Sequence, residues 1–477
     1  MTEPLVDARP RDAIAIIPVT EAALAQWLPK RPTRERAWLE AAAFRAKPGQ
    51  ICLVPDARGG LAAVVTGVDP SPGPWRLAHL PGALPRGTYW LDADWPADAA
   101  ASAALGWALA CYRFGRYRKT EAVEARLVVP GGCDGERLRQ EARAVGLVRD
   151  LINVPAADMM PENLGDAAIA LAAAHGATVR QVVGDALLTH GYPAIHAVGR
   201  ASAHPPRLIE LTWGEPDAPL LGLVGKGVCF DSGGLDIKPP SGMRLMKKDM
   251  GGAAHALGVA SLVMAAGLPV RLRLLIAAVE NAISSNAYRP GDIIRTRKGL
   301  TVEVDNTDAE GRIVMSDALA DLSDGKPDLV VDFSTLTGAA RVALGPELPA
   351  MFCNDDAVAD ALLAAARDVH DPMWRMPLHA PYREMLESRF ADLVNSASSP
   401  FAGAVTAALF LEHFVTGGTP WVHFDIMAWN PRAKPGRPEG GEAMGVRAVA
   451  ELARRRYPPR AGSGATVRRR GRSRPRR

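Results

Sequence analysis

Apolar positions change their period along this chain, and the changes mark its parts. From residue 155 onward, short apolar runs alternate with stretches of helical period. Strand-like runs fall at 178–183, 206–212, 220–230, 272–279, 303–306, 329–333 and 421–426; helical stretches fall at 167–175, 252–266, 313–322, 404–414 and 444–455. Strand-length apolar runs spaced by helices predict a mostly parallel central sheet flanked by helices. Ahead of them, 13–19, 50–54, 61–68 and 126–129 read as strands and the Ala-rich 99–112 as a helix. Asp134 is placed to cap a long amphipathic helix ending near Asn153, with Leu138, Ala142, Val145, Leu147 and Val148 on one side and Pro155 as its stop. The expected organisation is α/β: a small N-terminal α/β domain over 1–133, a linker helix and larger domain over 134–457, and an Arg-rich tail over 458–477.

Composition adds a class. With 48% hydrophobic and 23% charged residues, the chain is that of an ordinary soluble globular protein. Its longest near-apolar run, 99–112, falls short of the ~18 residues a membrane span needs. Glu3 and Asp7 stand where a signal peptide would be basic and then apolar. Five scattered cysteines, Cys52, Cys111, Cys133, Cys229 and Cys353, form no close pair, which suits reduced thiols and a cytoplasmic location. The net charge of +4 misleads, because eight arginines and no acid lie beyond residue 457; subtracting them leaves −4 for the body.

Two stretches carry the chemistry. In the first, Asn306-Thr307-Asp308-Ala309-Glu310-Gly311-Arg312 sits between an alternating segment and a helical one. By itself it fits a polar turn at a helix N-terminus, where acids are favoured. If its backbone is extended, Asp308, Glu310 and Arg312 project to one side and converge. In the second, the apolar run 220–230 contains Lys226, costly to bury unless paired. Asp231 ends that run, Lys238 follows in a Gly/Pro loop, and Asp249 precedes an Ala-rich helix. Were Asp231, Asp249, Asp308 and Glu310 to meet at neighbouring strand ends, they would repel one another without cations, and two divalent ions would neutralise them. There is no His-Glu-x-x-His zinc motif, and Gly225-Lys226-Gly227 lacks the third glycine of a dinucleotide fingerprint.

Together the two stretches resemble the leucine aminopeptidase (cytosol aminopeptidase) family of two-metal exopeptidases, over about 149–457. The resemblance rests on Asn-Thr-Asp-Ala-Glu-Gly-Arg, on Gly-Lys-Gly, Phe-Asp-Ser-Gly-Gly and Ile-Lys-Pro, and on Lys-x-Asp-Met-Gly-Gly, in order and spacing. It implies one metal held by Lys226, Asp231, Asp249 and Glu310, and a second held by Asp231, Asp308 and Glu310 with the Asp308 carbonyl. An oxygen-rich site suits Mn²⁺ or Mg²⁺, and Zn²⁺ also accepts carboxylates. The resemblance further implies catalytic roles for Lys238, at the developing oxyanion, and Arg312, holding a bicarbonate. It implies a substrate pocket at Met246, Asn306, Thr335, Leu336 and Gly338, suited to Leu-like N-terminal residues of peptide substrates, and a homo-hexamer. A reading from another class is nucleic-acid binding on the same fold, with the basic tail contacting phosphates.

Overall fold

The computed structural model describes residues 3–458. Its larger part is built on an eight-stranded sheet in the order Trp374–Arg375, Ala350–Cys353, Trp421–Asp425, Leu329–Ser334, Leu220–Asp231, Arg271–Asn281, Arg207–Trp213, Thr178–Val183. The four middle strands run parallel, and antiparallel strands flank them on either side. The sheet is therefore mostly parallel at its centre, as the two-faced apolar runs require.

Strand Leu220–Asp231 lies at the middle of this sheet and serves both faces. Leu221 and Leu223 join one core with Phe333, Ile276 and the helix Gly251–Ala265. Val224 and Val228 join the other, with Ile313, Val314 and Leu319 of the helix Glu310–Asp324. Strand alternation puts Lys226 on the second face, against that helix.

The strand leading into the acidic motif departs from expectation. Thr301–Glu303 is not in the central sheet; it pairs with Ile293–Arg295 and Leu393–Val394 in a separate three-stranded sheet. Only Val302 of the three is buried, the one-faced pattern of a peripheral strand. The sequence reading also passed over the strand Ala350–Cys353, whose four buried residues are too few to stand out as a run.

The N-terminal part has its own six-stranded sheet, ordered Leu5–Val6, Ala125–Val128, Gly87–Leu91, Ile14–Val19, Leu61–Gly67, Ile51–Pro55, with helix Ala97–Ala110 against it. Strand Gly87–Leu91 was not read from sequence, since only Tyr89 of its five residues is buried. The helix Gly135–Asn153, capped by Asp134 as expected, joins the two parts. It uses two faces rather than one. Leu138 and Val145 enter the N-terminal core, while Ala144, Val148, Leu151 and Ile152 enter the larger one. Arg149 is buried at this junction, and its guanidinium donates to Glu442, Leu109 O and Gly436 O.

Candidate metal centre

The central strand ends at Asp231, whose carboxylate is fixed at once. Asp231 Oδ1 accepts from Gly233 N at 2.9 Å and from Asn281 Nδ2 at 2.8 Å. Asn281 ends the neighbouring parallel strand, directly opposite Asp231. The loop beyond is clasped to the acidic motif by Thr307: its Oγ1 donates to Gly233 O at 2.6 Å and accepts from Asp236 N at 2.8 Å, while its N donates to Asp236 Oδ2 at 2.7 Å. Tyr288 Oη and Asn281 Nδ2 both donate to Thr307 O. From the other side, Asn395 Nδ2 donates to Asn306 O at 2.7 Å and its Oδ1 accepts from Asp305 N at 2.8 Å.

The motif is thereby held as a tight 3-10 turn, Thr307–Ala309, running into the helix from Glu310, and not as extended chain. Asn306 caps the turn by accepting from Asp308 N at 2.8 Å. This corrects the expectation of same-side projection. Residues two apart in a helix point about 200° apart, so Glu310 and Arg312 do not share a direction. Nor do the acids all sit at strand ends. Asp231 does, whereas Asp249 lies in the turn Met246–Met250 ahead of a helix, and Asp308 and Glu310 lie in the turn and helix just described.

They converge nonetheless. One carboxylate oxygen from each of Asp231, Asp308 and Glu310 lies within 4.8 Å of the others. Asp249 is tied in through Lys226, whose Nζ stands 2.6 Å from Asp249 Oδ2 and 2.8 Å from Glu310 Oε1. Lys238 Nζ lies 2.8 Å from Asp231 Oδ2 and also contacts Asp308. Two glycines make this approach feasible. A Cβ on Gly311 would fall 2.7 Å from Lys226 Cε, and one on Gly252 would fall 2.1 Å from Phe333 O. The first keeps a channel for the lysine; the second lets the helix that follows Asp249 press onto the sheet.

Charge is crowded here. Burial and the Asp231 charge push Glu310 up to about 8. The same two causes push Asp308 up to about 6. Burial would also raise Asp249, but Lys226 and Lys248 outweigh it and hold its carboxyl below the usual value. Burial works to lower Lys226 and Lys238, yet the surrounding carboxylates hold both ammonium groups above the ordinary lysine value. Arg312 is buried, pulled down to about 10 by burial against the charges of Asp425 and Glu310, and its Nε has no acceptor among the described residues.

The donor set fits divalent cations. Glu310 Oε2 is buried without a hydrogen-bond partner among the described residues, and Glu310 Oε1 and Asp249 Oδ2 face the Lys226 ammonium alone. An unpartnered buried acceptor costs about 1–3 kcal/mol, which a bound cation would relieve. Protons and cations would compete for these oxygens. Divalent-ion binding is therefore expected to tighten as pH rises from about 6 to about 8, the range in which Asp308 and Glu310 lose their protons. Calorimetric titration in buffers of different ionisation enthalpy measures both the affinity and the protons released; an affinity flat across that range would contradict it.

The expected pocket positions are close by. Met246 and Thr335 are buried, and Thr335 Oγ1 lies 2.7 Å from Asp249 Oδ1. Leu336 N donates to Asp425 Oδ1 at 3.1 Å, and Thr337 Oγ1 donates to Asp425 Oδ2 at 2.6 Å. Gly338 then opens the helix Gly338–Leu344. Asn281, Asp425, Tyr288 and Asn395 are positioning residues that sequence reasoning missed. Asn281 and Asp425 each end a buried parallel strand, the signal that singled out Asp231. Tyr288 and Asn395 lie in irregular chain with no such signal.

Comparison with known proteins agrees with this geometry. Residues 146–450 match the model of the cytosol aminopeptidase family catalytic domain, and residues 14–130 match that of the M17 aminopeptidase N-terminal domain. The chain is 40% identical over 382 residues to a probable cytosol aminopeptidase of Roseiflexus castenholzii, covering 76% of this chain and 78% of that protein. It is 44% identical over 330 residues to peptidase B of Pectobacterium carotovorum, covering 67% and 76%. The solved cytosol aminopeptidase of Coxiella burnetii superposes with a TM-score of 0.93 at 48% identity, covering 96% of this chain and 100% of that one. The bottromycin maturation enzyme BotP, solved in complex with Mn, superposes with a TM-score of 0.83 at 35% identity, covering 93% and 99%.

Proposed function

We propose, because the chain belongs to the cytosol aminopeptidase family of metallo-aminopeptidase hydrolases, that it releases N-terminal amino acids from peptides at a two-metal site. The observation that carries this reading is the meeting of Asp231, Asp308 and Glu310 beside Lys226, with Glu310 Oε2 buried and without a hydrogen-bond partner among the described residues. Lys226, Asp231, Asp249 and Glu310 would hold one ion; Asp231, Asp308 and Glu310, with the Asp308 carbonyl, would hold the other. Mn²⁺ and Zn²⁺ are the leading candidates and Mg²⁺ a third; a relative solved with Mn supports the first. Bound there, the ions supply Lewis acidity that makes water nucleophilic near neutral pH and polarises the scissile carbonyl.

The chain's own groups do the rest. Lys226 would ligate as the free amine and would give up the proton it shares with Asp249 and Glu310. Lys238 would keep its charge and face the developing oxyanion. Arg312, whose Nε has no acceptor among the described residues, would hold a bicarbonate suited to carrying the proton. Met246, with Thr335 and Gly338 beside it, walls a pocket for Leu-like side chains, while Asn306 and Leu336 shape its approach. Assembly as a homo-hexamer in the cytoplasm follows from the family resemblance, and light scattering on the purified chain tests the hexamer. The Arg-rich tail, on which the nucleic-acid reading rested, lies outside the described residues.

Metal stripping is expected to abolish hydrolysis of Leu-p-nitroanilide, and re-addition of Mn²⁺ or Zn²⁺ to restore it. Folded, metal-loaded protein inert on this and a panel of dipeptides would sink the proposal. Lys238→Ala is expected to cut kcat by about 10²–10³ with little change in KM, the usual cost of one oxyanion donor. A steady-state comparison with equal metal content checks it.

A further inference from the structure

Arg312 Nε, Ser334 Oγ and His423 Nε2 are all buried without a hydrogen-bond partner among the described residues. They share one face of the sheet. Val330 and Trp421 pack into the second core with the helix Glu310–Asp324, and Asp332, Ser334, His423 and Asp425 follow them at alternate positions on the same two strands. Strand pleating turns all four toward that helix, whose first turn carries Arg312. Asp332 stands opposite His423, and Ser334 opposite Asp425, on the parallel pair.

His423 is fully buried and its orientation is fixed. Its Nδ1 donates to Asp332 Oδ1 at 2.6 Å, and Trp421 Nε1 donates to Asp332 Oδ2 at 2.6 Å. Trp421 and Phe352 flank the imidazole, with ring centroids 5.9 and 5.8 Å away. With a proton held on Nδ1, Nε2 is the free end of the ring. Burial works to lower the His423 pKa, yet Asp332 holds it above the ordinary histidine value; Asp425 adds to that and Arg312 opposes it. The protonated ring makes Nε2 a donor, and Arg312 Nε is another. One water satisfies both at once, accepting from each and donating to Ser334 Oγ.

Resting on the aminopeptidase reading, we propose that His423, oriented by Asp332, is a positioning residue for Arg312: a water shared by His423 Nε2, Ser334 Oγ and Arg312 Nε fixes the guanidinium where the reaction needs it. A long side chain holds a productive geometry only when its own partners are held in turn. Here the chain of support runs from Trp421 to Asp332 to His423 to Arg312. His423 and Asp332 act through Arg312 and not on the substrate.

Two near-isosteres separate this role from a structural one. His423→Asn keeps a donor for Asp332 and gives up the Nε2 end; His423→Gln keeps a donor at the Nε2 end and gives up the Asp332 bond. Both are compared with wild type on the full chain at equal metal content. His423→Asn is expected to melt near wild type, yet to lower kcat for Leu-p-nitroanilide by about 10–100-fold with KM little changed, the usual cost of losing a group that orients a site residue. His423→Gln is expected to melt several degrees lower, because buried Asp332 loses a donor, yet to turn over faster than His423→Asn. A double-mutant cycle locates the effect: in an Arg312→Ala background, His423→Asn should cost less than about 2-fold, since the group it positions is gone. Activity that follows stability, with His423→Gln the slower of the two, overturns the inference; so does full additivity with Arg312→Ala. Should His423→Gln fail to fold, a well-folded His423→Asn with wild-type kcat overturns it, and a loss that vanishes in the Arg312→Ala background supports it. Folded, metal-loaded wild type without activity overturns the aminopeptidase reading and this inference with it.

Discussion

Replacing Glu310 with glutamine is expected to eliminate measurable aminopeptidase activity, a fall of at least about 10³-fold, because mutating an outer partner of a metal ligand alone costs about 10–100-fold. Glu310 would serve both proposed ions, and its Oε2 is buried without a hydrogen-bond partner among the described residues. Glutamine keeps the shape and removes the charge, so lost activity would report ligation and not packing. The metal-free protein gives an opposite, independent readout. The folded protein raises the Glu310 pKa from 4.5 to about 8. The protonated acid therefore favours the folded state; that contribution is full below 4.5 and is lost as pH climbs to about 8. Metal-free wild type should lose melting temperature across that window, and Glu310→Gln should lose less. A variant that binds two ions with wild-type affinity, or whose melting profile tracks wild type at every pH, would remove Glu310 from the site.

What could be read from the sequence was what depends on local pattern. The two-faced run 220–230 marked the central strand, and the lysine within it marked a buried charge that needed partners. Asp134 and Pro155 marked the ends of the joining helix. Three-dimensional facts escaped where pattern and placement part company. The alternation at 301–305 is that of a strand, yet the strand belongs to a side sheet, because sheet membership depends on which partner has a free edge. Same-side projection at 306–312 required extended backbone, but Asp236, Tyr288 and Asn395, from three separate segments, hold the motif as a turn. Nothing local marks Arg149, which meets Glu442, 293 positions away, in the core. Lys248 stands beside Lys247 in the sequence, and only the structure distinguishes them. Lys247 donates to Asn153 O at 2.7 Å, while Lys248 is buried with Asp249 Oδ1 3.8 Å from its ammonium.

Lys226→Met should separate stability from catalysis more sharply than any other single change. Methionine has nearly the length of lysine and would fit the channel that Gly311 leaves open. It removes the one cation that, among the described residues, lies within 3 Å of both Asp249 and Glu310. Without metal, two buried carboxylates would then lose their partner, and breaking a buried pair from one side costs about 3–5 kcal/mol. The metal-free variant is thus expected to be destabilised by about that amount, less whatever Glu310 regains by keeping its proton. Divalent ions should stabilise the variant more than they stabilise wild type, because they supply the missing charge. Activity should stay low even when metal is saturating, since one ion has lost its amine ligand. Lys226→Arg distinguishes charge from ligation: it restores a cation, but the group cannot give up its proton, and its planar fork is wider than the amine that the channel beside Gly311 holds. Denaturant titrations with and without Mn²⁺, beside activity at matched occupancy, read all of these effects. If Lys226→Met keeps wild-type stability without metal and wild-type turnover with it, Lys226 is neither the charge partner of the acids nor a ligand, and the two-ion assignment has to be rebuilt from Asp231, Asp308 and Glu310 alone.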